Sequence, residues 1–267
     1  MIKLIALDLD DTLLMPDCTI PEEAISVLRT AAAHGVRSVI ATGRSFPSAR
    51  LYAAQISSDC PIVCYNGSVA ASASGELLFS SLLEPALMHR VAVFCKNQGL
   101  YLQMYSNDKI VIEKDCREFR MDPDSKITDF VALGDLTRAD LQPSPKMMIL
   151  DTPERLSEIR PLLEAQFGSE LHFATSKEFL LEIMPKNISK SKTLSILSSQ
   201  LGIAREEVMA CGDNTNDMEM LNWAGIGVAV ANAVKPLKDI ADYVARSERS
   251  FGVIEAVERF AIQGKQK

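Results

Sequence analysis

One stretch near the start limits what this chain can become more than any other: Ile2-Lys3-Leu4-Ile5-Ala6-Leu7-Asp8-Leu9-Asp10-Asp11-Thr12-Leu13. Residues 2–7 are apolar except at Lys3 and show no helical period, so they read as a buried strand of the kind found in parallel sheets. The strand then delivers three carboxylates within four residues. Alternate residues of a strand share a side, so Asp8 and Asp10 are placed to flank one small object. Two carboxylates that close repel and raise each other's pKa unless something positive lies between them. A hard divalent cation with oxygen ligands resolves the conflict, and Mg²⁺ is the usual choice where phosphate is also bound. Taken alone, the motif is short, and a solvated acidic turn after a strand accounts for it equally well.

The following residues repeat the strand–helix rhythm. Thr19-Ile20-Pro21-Glu22 predicts a helix start with Thr19 as N-cap, and Gly35 is its natural stop. Strands are predicted over 36–41, ending in Thr42-Gly43-Arg44, and over 62–65, ending at Asn66-Gly67, with a helix over 47–57 between them. This alternation marks a parallel sheet with crossover helices, whose ligands bind outside the carboxyl ends of the strands. Asp8, Asp10 and Thr42 all fall there.

A hairpin over 69–80 then gives way to a different pattern. A helix over 85–98 precedes two strands joined through Asn107-Asp108, a hairpin signal. A strand over 146–150, a helix over 153–167 and two strands over 171–184 follow, with 117–145 polar and without pattern. Paired strands and two helices describe an α+β unit with an antiparallel sheet. From residue 190 the first rhythm resumes, with a helix, a buried strand over 208–211 and the loop Gly212-Asp213-Asn214-Thr215-Asn216-Asp217. A helix to about 224, a strand over 226–230 and helices over 234–240 and 252–260 complete it. A sheet that is interrupted and resumes implies insertion of one domain into another. The reading is therefore an α/β chain: a Rossmann-like, doubly wound parallel-sheet core of residues 1–82 and 188–267, with an inserted α+β cap of residues 83–187.

Composition excludes several roles. With 47% hydrophobic and 24% charged residues the chain is ordinary for a globular enzyme, and a net charge of −7 offers no basic field to nucleic acid or anionic lipid. No apolar run approaches the ~18 residues that span a bilayer. The segment before Asp8 is too short for a signal peptide. Six cysteines without a Cys-x-x-Cys pair suit free thiols in a reducing cytoplasm. A cytoplasmic monomer without nucleic-acid or membrane partners is the expectation.

The second acidic loop changes the weight of the first. It too sits where an apolar strand yields to a helix. Asp213 is placed to add a third carboxylate to the cation, while Asn216 and Asp217 lie at a helix N-terminus, which favours anions. Asp and Asn are also preferred capping residues, and that accounts for one of them. It does not account for two such loops on one oily sheet.

Four ordered motifs now resemble the haloacid dehalogenase-like (HAD) phosphatase superfamily, and within it the Cof-type, sugar-phosphatase-like branch with a large α+β (type IIB) cap. They are Asp8-Leu9-Asp10-Asp11-Thr12-Leu13, Ala41-Thr42-Gly43-Arg44, Ile188-Ser189-Lys190 and Gly212-Asp213-Asn214-Thr215-Asn216-Asp217. Tyr65-Asn66-Gly67, Leu181-Glu182-Ile183 and Val228-Ala229-Val230-Ala231-Asn232-Ala233 are similar to the same branch. The resemblance spans the full length and implies a cap inserted between the second and third motifs.

It also implies roles. Asp8 is the expected nucleophile, Asp10 the acid/base, and Asp8, the Asp10 carbonyl and Asp213 the Mg²⁺ ligands, with Asp217 orienting Lys190 or a metal-bound water. The Leu9 backbone, Thr42, Gly43, Lys190 and Asn216 are expected to hold the phosphoryl oxygens. The implied activity is Mg²⁺-dependent hydrolysis of a small phosphorylated metabolite through an aspartyl-phosphate; sugar phosphates, flavin mononucleotide and pyridoxal phosphate are not separated by the sequence. A cap joined by two linkers is expected to close over such a site.

Asp11, Ser191 and Ala231 stand where the family more often has Gly, and Asp11 reads as a solvated turn residue. Lys192 rivals Lys190 and reads as a solvated helix-face lysine. His34, His89 and His172 are isolated. The cap residues Tyr105, Asn107, Arg117, Arg120 and Lys177 are candidates to reach a substrate, although each reads more readily as ordinary surface; Arg44, beside the phosphate loop, is the better candidate. A phosphomutase or phosphotransferase would use the same chemistry. A non-catalytic phospho-ligand-binding or receiver protein would lack the cap and the acid/base at Asp10.

Overall fold

The first strand, β1 (Leu4–Leu7), is buried at every residue and pairs in parallel on both sides, with β2 (Arg37–Ala41) and β12 (Val208–Gly212). An apolar tetrapeptide with no polar face is what a two-sided parallel position demands. β2 continues in parallel to β3 (Ile62–Cys64), and β12 to β13 (Ile226–Ala229) and the two-residue β14 (Tyr243–Val244). An antiparallel strand, β4 (Val69–Ala71), and β5 (Leu77–Ser80) finish the sheet, giving the order β14-β13-β12-β1-β2-β3-β4-β5. Helix α1 (Glu22–Ala33) packs on α8 (Arg249–Ala256), and α5 (Lys190–Gln200) packs on α6 (Met218–Trp223). The remaining helices of this sheet are α2 (Phe46–Ile56) and α7 (Lys235–Ile240). The fold is α/β, a parallel sheet with flanking helices.

In this computed structural model, which describes residues 1–117 and 126–264, the chain divides into two compact units. The first comprises Met1–Gly43, Ala49–Phe79 and Ser189–Lys267, and the second Arg44–Ser48 and Ser80–Ile188. Arg120 lies outside the described residues. The segment Arg44–Ser48, inside the catalytic core in the sequence reading, groups with the second unit.

That unit contains α3 (Pro85–Asn97), α4 (Pro153–Phe167) and a sheet of order β10-β11-β9-β6-β7-β8. Its strands are β6 (Tyr101–Ser106), β7 (Lys109–Ile112), β8 (Phe130–Ala132), β9 (Met147–Leu150), β10 (Leu171–Lys177) and β11 (Leu180–Pro185). One side of the sheet and the two helices share an apolar core that includes Met88, Val91, Leu102, Ile149, Leu163 and Phe167. Asn107 and Asp108 turn β6 into β7 with φ of 49° and 58°, the paired positive values of a tight hairpin. The sheet is mixed rather than antiparallel throughout, because β8 runs parallel to β7. Tyr105 is buried rather than surface, beneath the ammonium of Lys146, which lies 5.0 Å from its ring centroid and 2.8 Å from the buried Glu182 carboxylate.

Two local expectations change. Thr19 does not cap α1: its hydroxyl donates to Asp17 Oδ1 at 2.7 Å, and Pro21 takes the N-cap position without a side-chain bond. A hydroxyl two residues after an Asp finds that local acceptor more readily than a helix amide further on. The last helix begins at Arg249 rather than Gly252. All six cysteines are free, and burial pushes the thiols of Cys60, Cys95 and Cys211 up to about 12.

Gly67 joins the first unit's halves at close range. It has φ +105°, its carbonyl accepts from Thr193 Oγ1 at 2.6 Å, and a Cβ there would lie 2.3 Å from the Ser189 carbonyl oxygen. Gly35 also has positive φ, +81°, but a Cβ there meets nothing within 4 Å. Gly67→Ala is therefore expected to lower the unfolding free energy by more than about 1 kcal/mol and by more than Gly35→Ala, as read by urea denaturation. Equal losses would mean that the backbone approach at Gly67 is absorbed by relaxation.

Candidate active site

The parallel register puts two acidic loops side by side. Leu7 pairs with Ile40 on one neighbour and Cys211 on the other, so Asp8 emerges level with Ala41 and Gly212. Its amide donates to the Cys211 carbonyl at 3.1 Å. Thr42 and Asp213 each follow by one residue, at the carboxyl ends of β2 and β12. Strand order reverses about β1, and such reversals open a crevice at the sheet edge.

Asp8, Asp213 and Asp217 offer carboxylate oxygens that all lie within 4.8 Å of one another. Lys190, the first residue of α5, reaches into this group and donates from Nζ to Asp8 Oδ1 at 2.6 Å and Asp217 Oδ1 at 2.7 Å. Its depth depends on Gly67, which lets Ser189 and the start of α5 approach closely. Asp217 is fully buried, and its second oxygen accepts from the amides of Asp213 at 3.1 Å and Asn214 at 3.3 Å. That packing requires Gly212, where a Cβ would stand 2.6 Å from the Asp217 Cβ. Thr12 donates its hydroxyl to Asp213 Oδ1 at 3.0 Å.

The electrostatics are those of too much negative charge in too little water. Burial, then Asp217, raises the Asp8 pKa well above the carboxylate range, and Lys190 opposes the rise. Burial and Asp217 likewise push Asp213 up to about 7. Burial alone would lower the pKa of Lys190, but the fields of Asp217 and Asp8 outweigh it and hold the ammonium charged. Three carboxylates facing one ammonium leave an excess that a divalent cation would neutralise, and the all-oxygen donor set suits a hard one. The cluster is thus fitted to hold a metal ion.

The other predicted residues take varied places. Leu9 is buried, Asp10 is half-buried, and both belong to a wide turn, Leu9–Leu13, that follows β1. Thr42 is buried, its amide donating to the Val63 carbonyl at 2.8 Å and its carbonyl accepting from Asn66 N–H at 3.0 Å. Gly43 is half-buried next to it. Asn216 is half-buried in the single turn Thr215–Asp217. Arg44 is buried and donates to Ser48 Oγ at 3.2 Å within the second unit. Lys192 is exposed. His34 and His89 bond the carbonyls of Thr30 and Ala139.

Asp11 corrects the sequence reading. It is not simply a solvated turn residue: Arg249 donates to its Oδ1 from Nη2 at 2.8 Å and Nε at 3.3 Å, and Asn232 Nδ2 donates to its carbonyl at 2.7 Å. Its φ of +56° explains why glycine is the commoner residue there. The departure at Asp11 and the matched stretch that carries Asn232 were the signals available; nothing around Arg249 forms a motif.

Comparison with known proteins finds relatives over most of the chain. The family model for haloacid dehalogenase-like hydrolases matches residues 5–257. HMP-PP phosphatase of Cronobacter sakazakii is 31% identical over 244 residues, covering 89% of this chain and 87% of that protein. The 5-amino-6-(5-phospho-D-ribitylamino)uracil phosphatase YcsE of Bacillus subtilis is 29% identical, covering 98% of this chain and 96% of its own. A crystal structure of a haloacid dehalogenase-like hydrolase from Bacteroides thetaiotaomicron superposes with a TM-score of 0.87 at 28% identity, over 97% of this chain and 100% of that one. With the match running from β1 into the turn after α8, this chain belongs to the haloacid dehalogenase-like hydrolase family.

Proposed function

We propose that the chain is a Mg²⁺-dependent phosphatase that hydrolyses phosphate monoesters of small metabolites. The observation that carries this reading is Asp8 at the end of β1, buried, bonded to Lys190 and clustered with Asp213 and Asp217. The phosphatase names of two relatives support it. Phosphate monoesters are among the slowest molecules to hydrolyse unaided, so the site must supply a large share of an acceleration of up to ~10²¹.

A carboxylate nucleophile divides that barrier into two. An Asp8 oxygen attacks phosphorus while the bond to the leaving oxygen breaks, and Asp10 gives its proton to that oxygen. Water then attacks the phosphorus, Asp10 takes the water's proton, and the Asp8–phosphorus bond breaks to release inorganic phosphate and restore Asp8. Lys190, anchored between Asp8 and Asp217, keeps Asp8 oriented and offers positive charge to phosphoryl oxygens. Thr42, the amides of Leu9 and Gly43, and Asn216 hold the remaining oxygens. Asp217 fixes Lys190 and the Asp213 loop together. Asp8, the Asp10 carbonyl, Asp213 and Asp217 would hold Mg²⁺, which when bound offsets the carboxylate charge that otherwise repels an anionic substrate.

Purified protein with Mg²⁺ is expected to release phosphate from at least one member of a panel of sugar phosphates, flavin mononucleotide and pyridoxal phosphate. Asp8→Asn should lower kcat by at least ~10³-fold, since nucleophile removal in enzymes of this type is severe. Turnover that survives the substitution would remove Asp8 from the mechanism.

The raised carboxylates give a second test. In unfolded chain Asp213 loses its proton near the ordinary 3.8, whereas in the metal-free fold it keeps it until about 7. Between those values the folded state binds more protons, so stability falls as pH rises through the window. Metal-free protein should melt at a lower temperature at pH 8 than at pH 5.5, and Mg²⁺ should raise the melting temperature more at pH 8. A metal-free protein that grows more stable over that range would contradict the assignment of these carboxylates to a cation site.

A further inference from the structure

Asn232 lies in the stretch Val228–Ala233 and Arg249 in none of the matched motifs, and neither has a part in the chemistry proposed above, yet both grip the turn that carries Asp10. Asn232 Oδ1 accepts from the Arg249 amide at 2.9 Å while its Nδ2 donates to the Asp11 carbonyl at 2.7 Å. The Arg249 guanidinium adds two bonds to Asp11 Oδ1, at 2.8 and 3.3 Å. One residue on, Ser250 Oγ donates to the Leu13 carbonyl. The start of α8 therefore holds the turn at residues 11 and 13, and Thr12 between them is tied to Asp213. Asp10, the residue immediately before this fixed stretch, inherits its direction.

Backbone strain is present at the same pair, as at six other non-glycine residues among those described. Asp11 at φ +56° and Arg249 at φ +50° are both non-glycine residues in the left-handed region, and they touch each other. Such conformations persist only where surroundings over-determine them, and they concentrate at functional sites. Stability is a poor reason for the arrangement. The Asp11 side chain is 49% exposed and that of Arg249 23%, and an ion pair so open to water adds little. What the contact does supply is one fixed geometry for the turn.

We infer that Arg249 and Asn232, acting through Asp11, are positioning residues that aim the Asp10 carboxyl at the leaving oxygen. The inference rests on the acid/base role proposed for Asp10. General acid catalysis contributes roughly 10²–10⁴-fold when the group is well placed, and it matters most when the leaving group is a poor one. Loosening the turn therefore weakens protonation of the leaving group without touching the nucleophile.

The test compares kcat/KM for p-nitrophenyl phosphate, whose leaving group needs little protonation, with phenyl phosphate, whose leaving group needs more. Arg249→Gly removes the guanidinium and accommodates the positive φ without steric cost, so the fold is retained. It is expected to reduce kcat/KM for phenyl phosphate about tenfold more than for p-nitrophenyl phosphate, and Arg249→Lys to recover part of the difference. In metal-free protein, amide hydrogen exchange of the peptide over residues 8–15 should accelerate several-fold in Arg249→Gly while the rest of the first unit is unchanged. Equal losses on the two substrates, or unaltered exchange over 8–15, would overturn the positioning role. Asp10→Asn separates the two levels. If it discriminates between the substrates and Arg249→Gly does not, the positioning inference alone fails. If Asp10→Asn shows equal losses, the acid/base reading fails and this inference with it.

Discussion

Three buried carboxylates around one buried ammonium are the constraint from which most of the first unit follows. Removing one partner of a buried ion pair costs about 3–5 kcal/mol, a sizeable part of the roughly 5–15 kcal/mol that keeps a domain folded. The group is tolerable because each carboxylate has a hydrogen-bond donor. Asp217 spends one oxygen on Lys190 and the other on two amides, Asp213 takes the Thr12 hydroxyl, and Asp8 takes Lys190. Gly212 and Gly67 make room for these contacts by lacking side chains. The remaining negative charge is the part that the fold itself does not balance, and it is the part a cation and a phosphoryl group would use.

The second unit solves a similar problem without chemistry in view. Lys146 and Glu182 form a buried pair 2.8 Å apart on the sheet, with Tyr105 under the ammonium. In the first unit three carboxylates gather round one ammonium, and it is that excess of negative charge that invites a ligand.

Much of this was legible in the residues. Apolar runs such as 4–7 and 208–212 have no polar face and so announce two-sided strands, and Asn107-Asp108 announces its hairpin. The two acidic loops were readable because parallel strands must end on the same edge. What escaped lacked a local pattern. β14 has only two residues, and β8 lies in a polar stretch where its parallel partner β7 decides its structure. Thr19 had a nearer acceptor than the helix it seemed to cap. Asp11 and Arg249 are 238 residues apart, and no spacing rule pairs an exposed aspartate with a distant arginine.

The same separation in sequence has a bearing on how the molecule is made. Asp8 and Lys190 are 182 residues apart, so the strand bearing the carboxylate leaves the ribosome long before the lysine exists. In that interval β1 can pair with β2 but not with β12, and one apolar side of it is an open edge of the sort that invites mispairing. Residues 80–188 are completed within the same interval and build a core of their own. Insertion of the second unit thus lengthens the time for which a wholly apolar strand of the first stands half-paired, and it makes the last third of the chain the step that closes the sheet.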